Sequence, residues 1–414
     1  VTGAPAPASV RLGSREIPYG WVIVAALSVT ETVTWGIVYY GFPVFLGSME
    51  QDLGASRVAV TGAFSIGLGA AALAALPVGQ WIDRHGARGL MTVGSCLGVV
   101  LTLAWARVAS VPALYAVWFL MGLVMAATLY EPAFAVVVSW FTEGRAKALL
   151  TVTLVAGLAS TIFMPIEAWL LGRMGWRAAV TVLAVVLAIV TIPIHALLLR
   201  RGPVGLARRE AAHDAASPAA GLTLREAAGT LVFWVLVPAF FVSNFATAAL
   251  SVHLIPYLVG LGYSAPIAAA VIGWMGAMQL PGRLLFVPIA ARLGARWMLA
   301  AVFLAQALGI VQLPLVGLIG TIAPFVLLQG AANGMATLAR ATSLADIFGS
   351  RHYGAIAGAV ALGANSARAI GPVGASLLWV GLGSYPPVFG LLAASLLLAA
   401  GAVLMTRGAG GREA

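Results

Sequence analysis

The sequence runs to 414 residues, with 61% hydrophobic and only 9% charged side chains, a formal net charge of +10 and a mean hydropathy of +1.01. A soluble domain carries about 25% charged residues, so a water-soluble globule is excluded. Each helical span needs about 20 mainly apolar residues, which leaves room for about a dozen spans.

In chain order, residues 1–17 open with VTGAPAPASV, a polar Pro/Ala-rich stretch that lacks the apolar core of a cleaved signal peptide and reads as a cytoplasmic tail. Apolar runs follow at 18–47, 56–80, 89–108, 111–140, 146–171 and 177–199, an N-terminal six-helix bundle over 18–199. Residues 200–229 hold the one long polar segment and read as a cytoplasmic interdomain loop. A second set of apolar runs at 230–258, 264–290, 295–316, 320–348, 353–381 and 384–405 gives a C-terminal six-helix bundle over 230–405, and 406–414 is a second cytoplasmic tail. The expected fold class is therefore all-α: twelve transmembrane helices in two pseudo-symmetric six-helix bundles.

Basic residues set the orientation. With both termini inside, the cytoplasmic segments hold Arg11, Arg15, Arg84, Arg88, Arg145, Lys147, Arg200, Arg201, Arg208, Arg209, Arg225, Arg292, Arg296, Arg351, Arg407 and Arg412. The other side receives Arg57, Arg107, Arg173 and Arg177, so the positive-inside rule favours cytoplasmic termini. The halves echo each other: GAR at 86–88 returns at 294–296, and ATL at 127–129 returns at 336–338. Parallel six-span repeats lead one to expect a substrate site at the midplane between the halves.

Other chemistries find little support. Cys96 is the single cysteine and the five histidines are scattered, so neither a disulfide framework nor a metal centre is expected. The arginines lie between apolar segments and not on one basic face, which argues against a nucleic-acid partner. No nucleophile–base pair or phosphate loop appears, so no enzyme activity and no cofactor are expected.

Six charges fall well inside apolar runs: Glu31, Glu131 and Glu167 in the first half, Arg283, Arg340 and Arg368 in the second. Charges at such depth cost at least about 2.5–3.5 kcal/mol on insertion scales and need a partner or a wet cavity. Arg283, in GAMQLPGRLLFVP, is nine residues inside Arg292, roughly 13 Å deep on a helical rise. Since a guanidinium keeps its proton, Arg283 holds either a structural acid such as Glu31 or Glu131, or a substrate carboxylate in a bidentate fork. Arg340 faces the same choice, with Asp346 and Glu131 as neutralisers, and the ATL alignment sets Glu131 and Arg340 at equivalent repeat positions. Glu167 lies near the outer end of span five and reads as a rim residue. Tyr130 offers a hydroxyl beside an apolar ring, suited to a short-chain carboxylate or simply to packing. Trp35 and Phe42 shape an apolar wall or pack, and Asn244, Asn333 and Asn365 suit hydrogen bonds between helices.

GQWIDRHGAR, residues 79–88, resembles the loop signature of the major facilitator superfamily after span two, carried by Gly79, Asp83, Arg84, Gly86 and Arg88. The resemblance implies the twelve-span fold and a gating role for this motif, with Asp83 and nearby arginines as an ion-pair cluster at the cytoplasmic rim. A closer likeness rests on the GW start of span one, its aromatic-Gly-Phe-Pro-x-Phe end, the following G-x-S-R, and ADIFGSRHYGAIAG at 345–358. These are similar to the monocarboxylate porter and oxalate–formate antiporter group. That resemblance implies that Arg283 binds a carboxylate in span eight, that Arg368 in span eleven adds the basic residue of oxalate exchangers, and that Tyr39, Tyr40 and Tyr130 supply aromatics. It also implies a prokaryotic inner membrane. Two positions depart from animal lactate carriers: Gln279 stands where they have an Asp, and Val44 where they have a lysine. Their proton route does not carry over, which leaves Glu31, Glu131 or His253 to couple protons or form ion pairs.

The expected function is secondary active transport of a small organic anion, a lactate- or pyruvate-like monocarboxylate carried by proton symport and alternating access. The alternative is exchange of carboxylates or dicarboxylates of the oxalate–formate type, and a third reading is proton-driven drug efflux. Expected partners are the small carboxylate, protons and the lipid bilayer, with a monomer as the functional unit.

Overall fold

The computed structural model describes residues 9–12, 15–200, 202, 221–315 and 322–406. Most of the expected central loop and both chain ends, with Arg201, Arg208, Arg209, Arg407 and Arg412, lie outside the described residues. The chain divides into two compact units, Val1–Gly221 with Ser350–Ala361, and Leu222–Gly349 with Leu362–Ala414.

In the first unit, β1 (Ser9–Leu12) pairs antiparallel with β2 (Arg15–Pro18), a hairpin that the sequence reading does not anticipate in this tail. Span one is α1 (Tyr19–Thr34), a π turn at Trp35–Tyr40, and α2 (Gly41–Leu53). Spans two and three are α3 (Arg57–His85) and α4 (Ala87–Trp105). Span four is split into α5 (Val111–Thr128) and α6 (Tyr130–Trp140). Spans five and six run through α7 (Arg145–Ala156) and α8 (Ala159–Pro193), bent at Gly175 with φ 77° and ψ 163°, and end in a π turn at Ile194–Leu198. Ser56 and Ser110 start spans two and four as N-caps, each accepting from the amide three residues on.

The second unit opens with the short α9 (Leu224–Ala228) and continues with α10 (Leu231–Gly260) as span seven. Spans eight and nine form one bent element, α11 (Ala265–Val311), broken at Gly294 with φ 70° and ψ 167°. Spans ten, eleven and twelve are α12 (Ala323–Phe348), α13 (Tyr353–Leu382) and α14 (Tyr385–Met405). Twelve spans are thus present among the described residues, as expected. Outward-facing Leu73, Val93, Ile189, Leu377 and Leu398 give these helices the apolar exterior that lipid requires.

The GAR echo has a backbone counterpart. Gly86 ends span two at φ 81° and ψ 167°, and Gly294 ends span eight in nearly the same conformation, one that side chains strain against. The ATL echo is imperfect, because span four breaks at Leu129 while span ten runs on through Arg340. Proline explains the break: Pro132 has no N–H to give Thr128 and its ring crowds that carbonyl, but it is tolerated in the first turn of a new helix.

The 79–88 motif differs from the expected loop. Gly79, Asp83 and Arg84 lie in the last turns of α3, and only Gly86 is non-helical. Asp83 accepts hydrogen bonds from the amides of Gly354, at 3.0 Å, and Ala355, at 2.7 Å, at the start of α13. Those two donors have no intrahelical acceptor, so the carboxylate caps the helix and meets its positive end. A Cβ at Gly79 would stand 1.9 Å from the Gly354 carbonyl oxygen, so this contact excludes any side chain at that position. Arg88 donates from Nε to the Ala196 carbonyl at 2.8 Å.

Candidate functional site

Each unit holds its own cluster of buried polar groups. In the first unit the π turn packs an extra residue into span one and gathers three aromatic rings, of which Trp35 meets Tyr130 on span four. The Trp35 ring centroid is 4.9 Å from Tyr39, 6.3 Å from Tyr40 and 5.0 Å from Tyr130, and Tyr130 stacks on Phe134 at 5.0 Å. π turns of this kind recur at functional sites. Glu31, one turn earlier, is fully buried, and its Oε2 accepts from the Trp35 indole at 3.1 Å. Its other oxygen, Oε1, has no hydrogen-bond partner among the described residues.

Glu131 lies within electrostatic range of Glu31, in the first turn of α6. The helix dipole favours a negative charge there. The break in span four therefore brings an acid, a phenol and a helix N-terminus to one place. The sequence reading misses this break, although YEP at 130–132 carries its signal.

In the second unit Arg283 is 7% exposed, and its Nη2 donates to Gln279 Oε1 one turn back, at 3.4 Å. Bare backbones bring this stretch against span ten. A Cβ at Gly282 would stand 2.3 Å from the Ala331 carbonyl oxygen, and one at Gly334 would stand 2.3 Å from that of Gln279. Small residues permit such close approach between membrane helices, and here they fix the height and rotation of the Arg283 turn.

Arg368 is exposed, and its Nε donates to Asn244 Oδ1 at 2.8 Å. Asn244 is itself anchored, since its Nδ2 donates to the Phe240 carbonyl at 2.8 Å. Asn333 joins spans seven, nine and ten by accepting from Gln306 at 2.8 Å and Thr247 at 3.2 Å, as expected of an interhelical amide. His253 sits between Tyr385 Oη, 3.2 Å from Nδ1, and Ser376 Oγ, 3.1 Å from Nε2, which ties span seven to spans eleven and twelve.

The structure thus brings together Glu31, Glu131, Tyr39, Tyr40 and Tyr130 in one unit, and Arg283 with Gln279 in the other. It also supplies one contact that the sequence does not reveal, Asn244 to Arg368. Glu167, expected at the outer end of span five, is fully buried among protein neighbours, and neither carboxylate oxygen has a hydrogen-bond partner among the described residues. Counting along the span gives its depth but not the neighbours that cover it.

Ionisable side chains buried on the apolar helices of two units mark a polytopic membrane protein with polar work to do inside its spans. The comparisons agree. Residues 32–320 match the model of the Major Facilitator Superfamily, and the chain belongs to that family of transporters. It is 26% identical over 324 residues to the oxalate:formate antiporter of Oxalobacter formigenes, covering 77% of this chain and 76% of that one. Two solved structures share the fold. The proton:xylose symporter XylE, bound to 6-bromo-6-deoxy-D-glucose, superposes with a TM-score of 0.70 at 14% identity, over 92% of this chain and 94% of its own. The E. coli fucose:proton symporter FucP does so with a TM-score of 0.70 at 15% identity, over 94% and 100%.

Proposed function

We propose that this transporter carries a small organic anion, a lactate- or pyruvate-like monocarboxylate, by proton symport and alternating access. The observation that carries the reading is the buried Arg283 on a turn fixed by backbone packing, with Gln279 as a neutral neighbour. A guanidinium keeps its charge when buried, and a carboxylate matches its planar fork. The likeness to the oxalate:formate antiporter supports a carboxylate as cargo. For protons, the buried Glu31, with Glu131 nearby in the same unit, is the acceptor this reading assigns. On this reading the protein resides in a prokaryotic inner membrane with both termini cytoplasmic.

Arg368 favours a second reading, carboxylate exchange. Asn244 accepts from its Nε and so orients the planar guanidinium, a group suited to the second carboxylate of a dicarboxylate.

Uptake of labelled lactate, pyruvate, acetate, formate and oxalate into proteoliposomes, with and without an imposed pH gradient, separates these readings. Gradient-driven accumulation of a monocarboxylate supports symport. Uptake that needs a carboxylate inside and ignores the gradient supports exchange. Failure to move any of the five removes the anion reading.

A further inference from the structure

The acid that neither reading uses is Glu167. Its side chain is fully buried in span five, and its oxygens have no donor and no ion-pair partner among the described residues. The space around it is shaped by span one. A Cβ at Gly41 would stand 3.0 Å from Glu167 Oε1, and the same position faces the Trp105 ring at 3.7 Å. One turn earlier on span five, Phe163 fills the place of the missing side chain at Gly36, where a Cβ would come 2.3 Å from the ring. Phe163 and Glu167 therefore lie against the two glycines that bracket the back of the π turn, whose front carries Trp35, Tyr39 and Tyr40.

The surroundings limit what Glu167 can bind. The titratable and charged groups on elements packed against α8 are Tyr19 and Glu31 on α1, Tyr39 and Tyr40 on the π turn, Glu50 and Asp52 on α2, and Arg88 and Cys96 on α4, with His195 in the π turn that ends span six. On its own helix stand Arg173 and Arg177. Of these, Asp52 is held by Arg177 at 2.5 Å, Glu31 by Trp35, His195 by Ser95 at 2.7 Å, and Arg88 by a carbonyl. None makes a hydrogen bond to Glu167. A metal ion would need several oxygen ligands, and no cluster of three or more candidate ligands exists among the described residues. An ionised carboxylate without a donor is costly in such a setting, and a proton is the one cation that needs no further ligand.

We infer that Glu167 is a proton-binding site of the first unit, seated behind the π turn that presents the aromatic rings. Loss of the proton breaks the carboxyl O–H bond, leaves the electron pair on the oxygen and passes the proton to water. The new charge then stands beside the bare backbone at Gly41, at the end of the turn that carries Trp35, Tyr39 and Tyr40. The coupling step rests on the symport reading; proton binding itself does not.

The test is infrared spectroscopy of the purified protein in lipid, read at the carboxylic C=O stretch above the amide bands. Wild type is expected to show a protonated-carboxyl band that shifts in D2O and fades reversibly as pH rises. Glu167→Gln should remove its share of that band, and Glu31→Gln should leave that share in place. A Glu167→Gln spectrum identical to wild type at every pH overturns the proposal, whatever the transport assays give. Because Gln is isosteric, its melting temperature in detergent should match wild type, and Glu167→Asp should restore a titrating band. In uptake assays Glu167→Gln should flatten the pH dependence, and an unchanged pH profile overturns the coupling. If no carboxylate is carried but the band behaves as described, the symport reading fails and the proton site stands.

Discussion

Replacing Arg283 by lysine keeps the charge and removes the fork. The arginine is 7% exposed and its Nη2 donates to Gln279 Oε1 at 3.4 Å. A carboxylate bound end-on takes two parallel charge-assisted hydrogen bonds, and an ammonium in the same place offers one good one. A hydrogen bond to a charged group is worth about 1.5–3 kcal/mol, so Arg283→Lys should lower carboxylate affinity roughly 10- to 150-fold. The assay is concentration-dependent uptake of a labelled carboxylate into proteoliposomes, with protein incorporation matched between variants. Affinity within about twofold of wild type would show that charge alone suffices, and the bidentate argument would be wrong.

Arg368→Ala should cost about ten- to a hundred-fold for oxalate and only a few-fold for formate, because only a dicarboxylate needs the second cation; equal losses for the two acids argue against a second anchor. Asn244→Ala should move oxalate uptake the same way but by only about two- to ten-fold, the worth of one neutral acceptor, and no change would show that the Nε contact does not orient Arg368. Glu31→Gln leaves an acceptor for the Trp35 indole, so the fold should persist while gradient-driven uptake is lost; accumulation that still follows the pH gradient would exclude Glu31 as the coupling acid. Gly334→Ala would drive a methyl group into the Gln279 carbonyl and should destabilise the second unit by about 1–3 kcal/mol, read as a lower melting temperature in detergent. Gly273→Ala, where nothing lies within 4 Å, is the control and should melt like wild type.

Much of the fold is legible because membrane insertion imposes length and apolarity on every span, and the twelve segments emerge from hydropathy alone. The Arg283–Gln279 pair is legible for a related reason, since residues four apart share a helix face. Other features depend on tertiary partners. Glu167 is buried against Gly41, distant in sequence, so its position along span five reveals only depth. Asn244 meets Arg368 across 124 positions, and no local pattern marks that contact. The break before Tyr130 could have been read from Pro132, whereas the π turn has no comparable mark in WGIVYY. The 79–88 motif shows a subtler limit: its residues are recognisable, but that Asp83 caps α13 follows only once Gly79 lets the two backbones meet.

The central claim is that a carboxylate group is what the protein recognises, and competition by neutral isosteres tests it most directly. Uptake of labelled lactate and acetate into proteoliposomes is measured against excess unlabelled lactate and acetate, then against lactamide and acetamide, which keep the shape and lose the charge. The account predicts inhibition by the acids, none by the amides, and no carrier-dependent uptake in Arg283→Ala. Amides that compete as well as the acids, or uptake that survives the loss of Arg283, would contradict it.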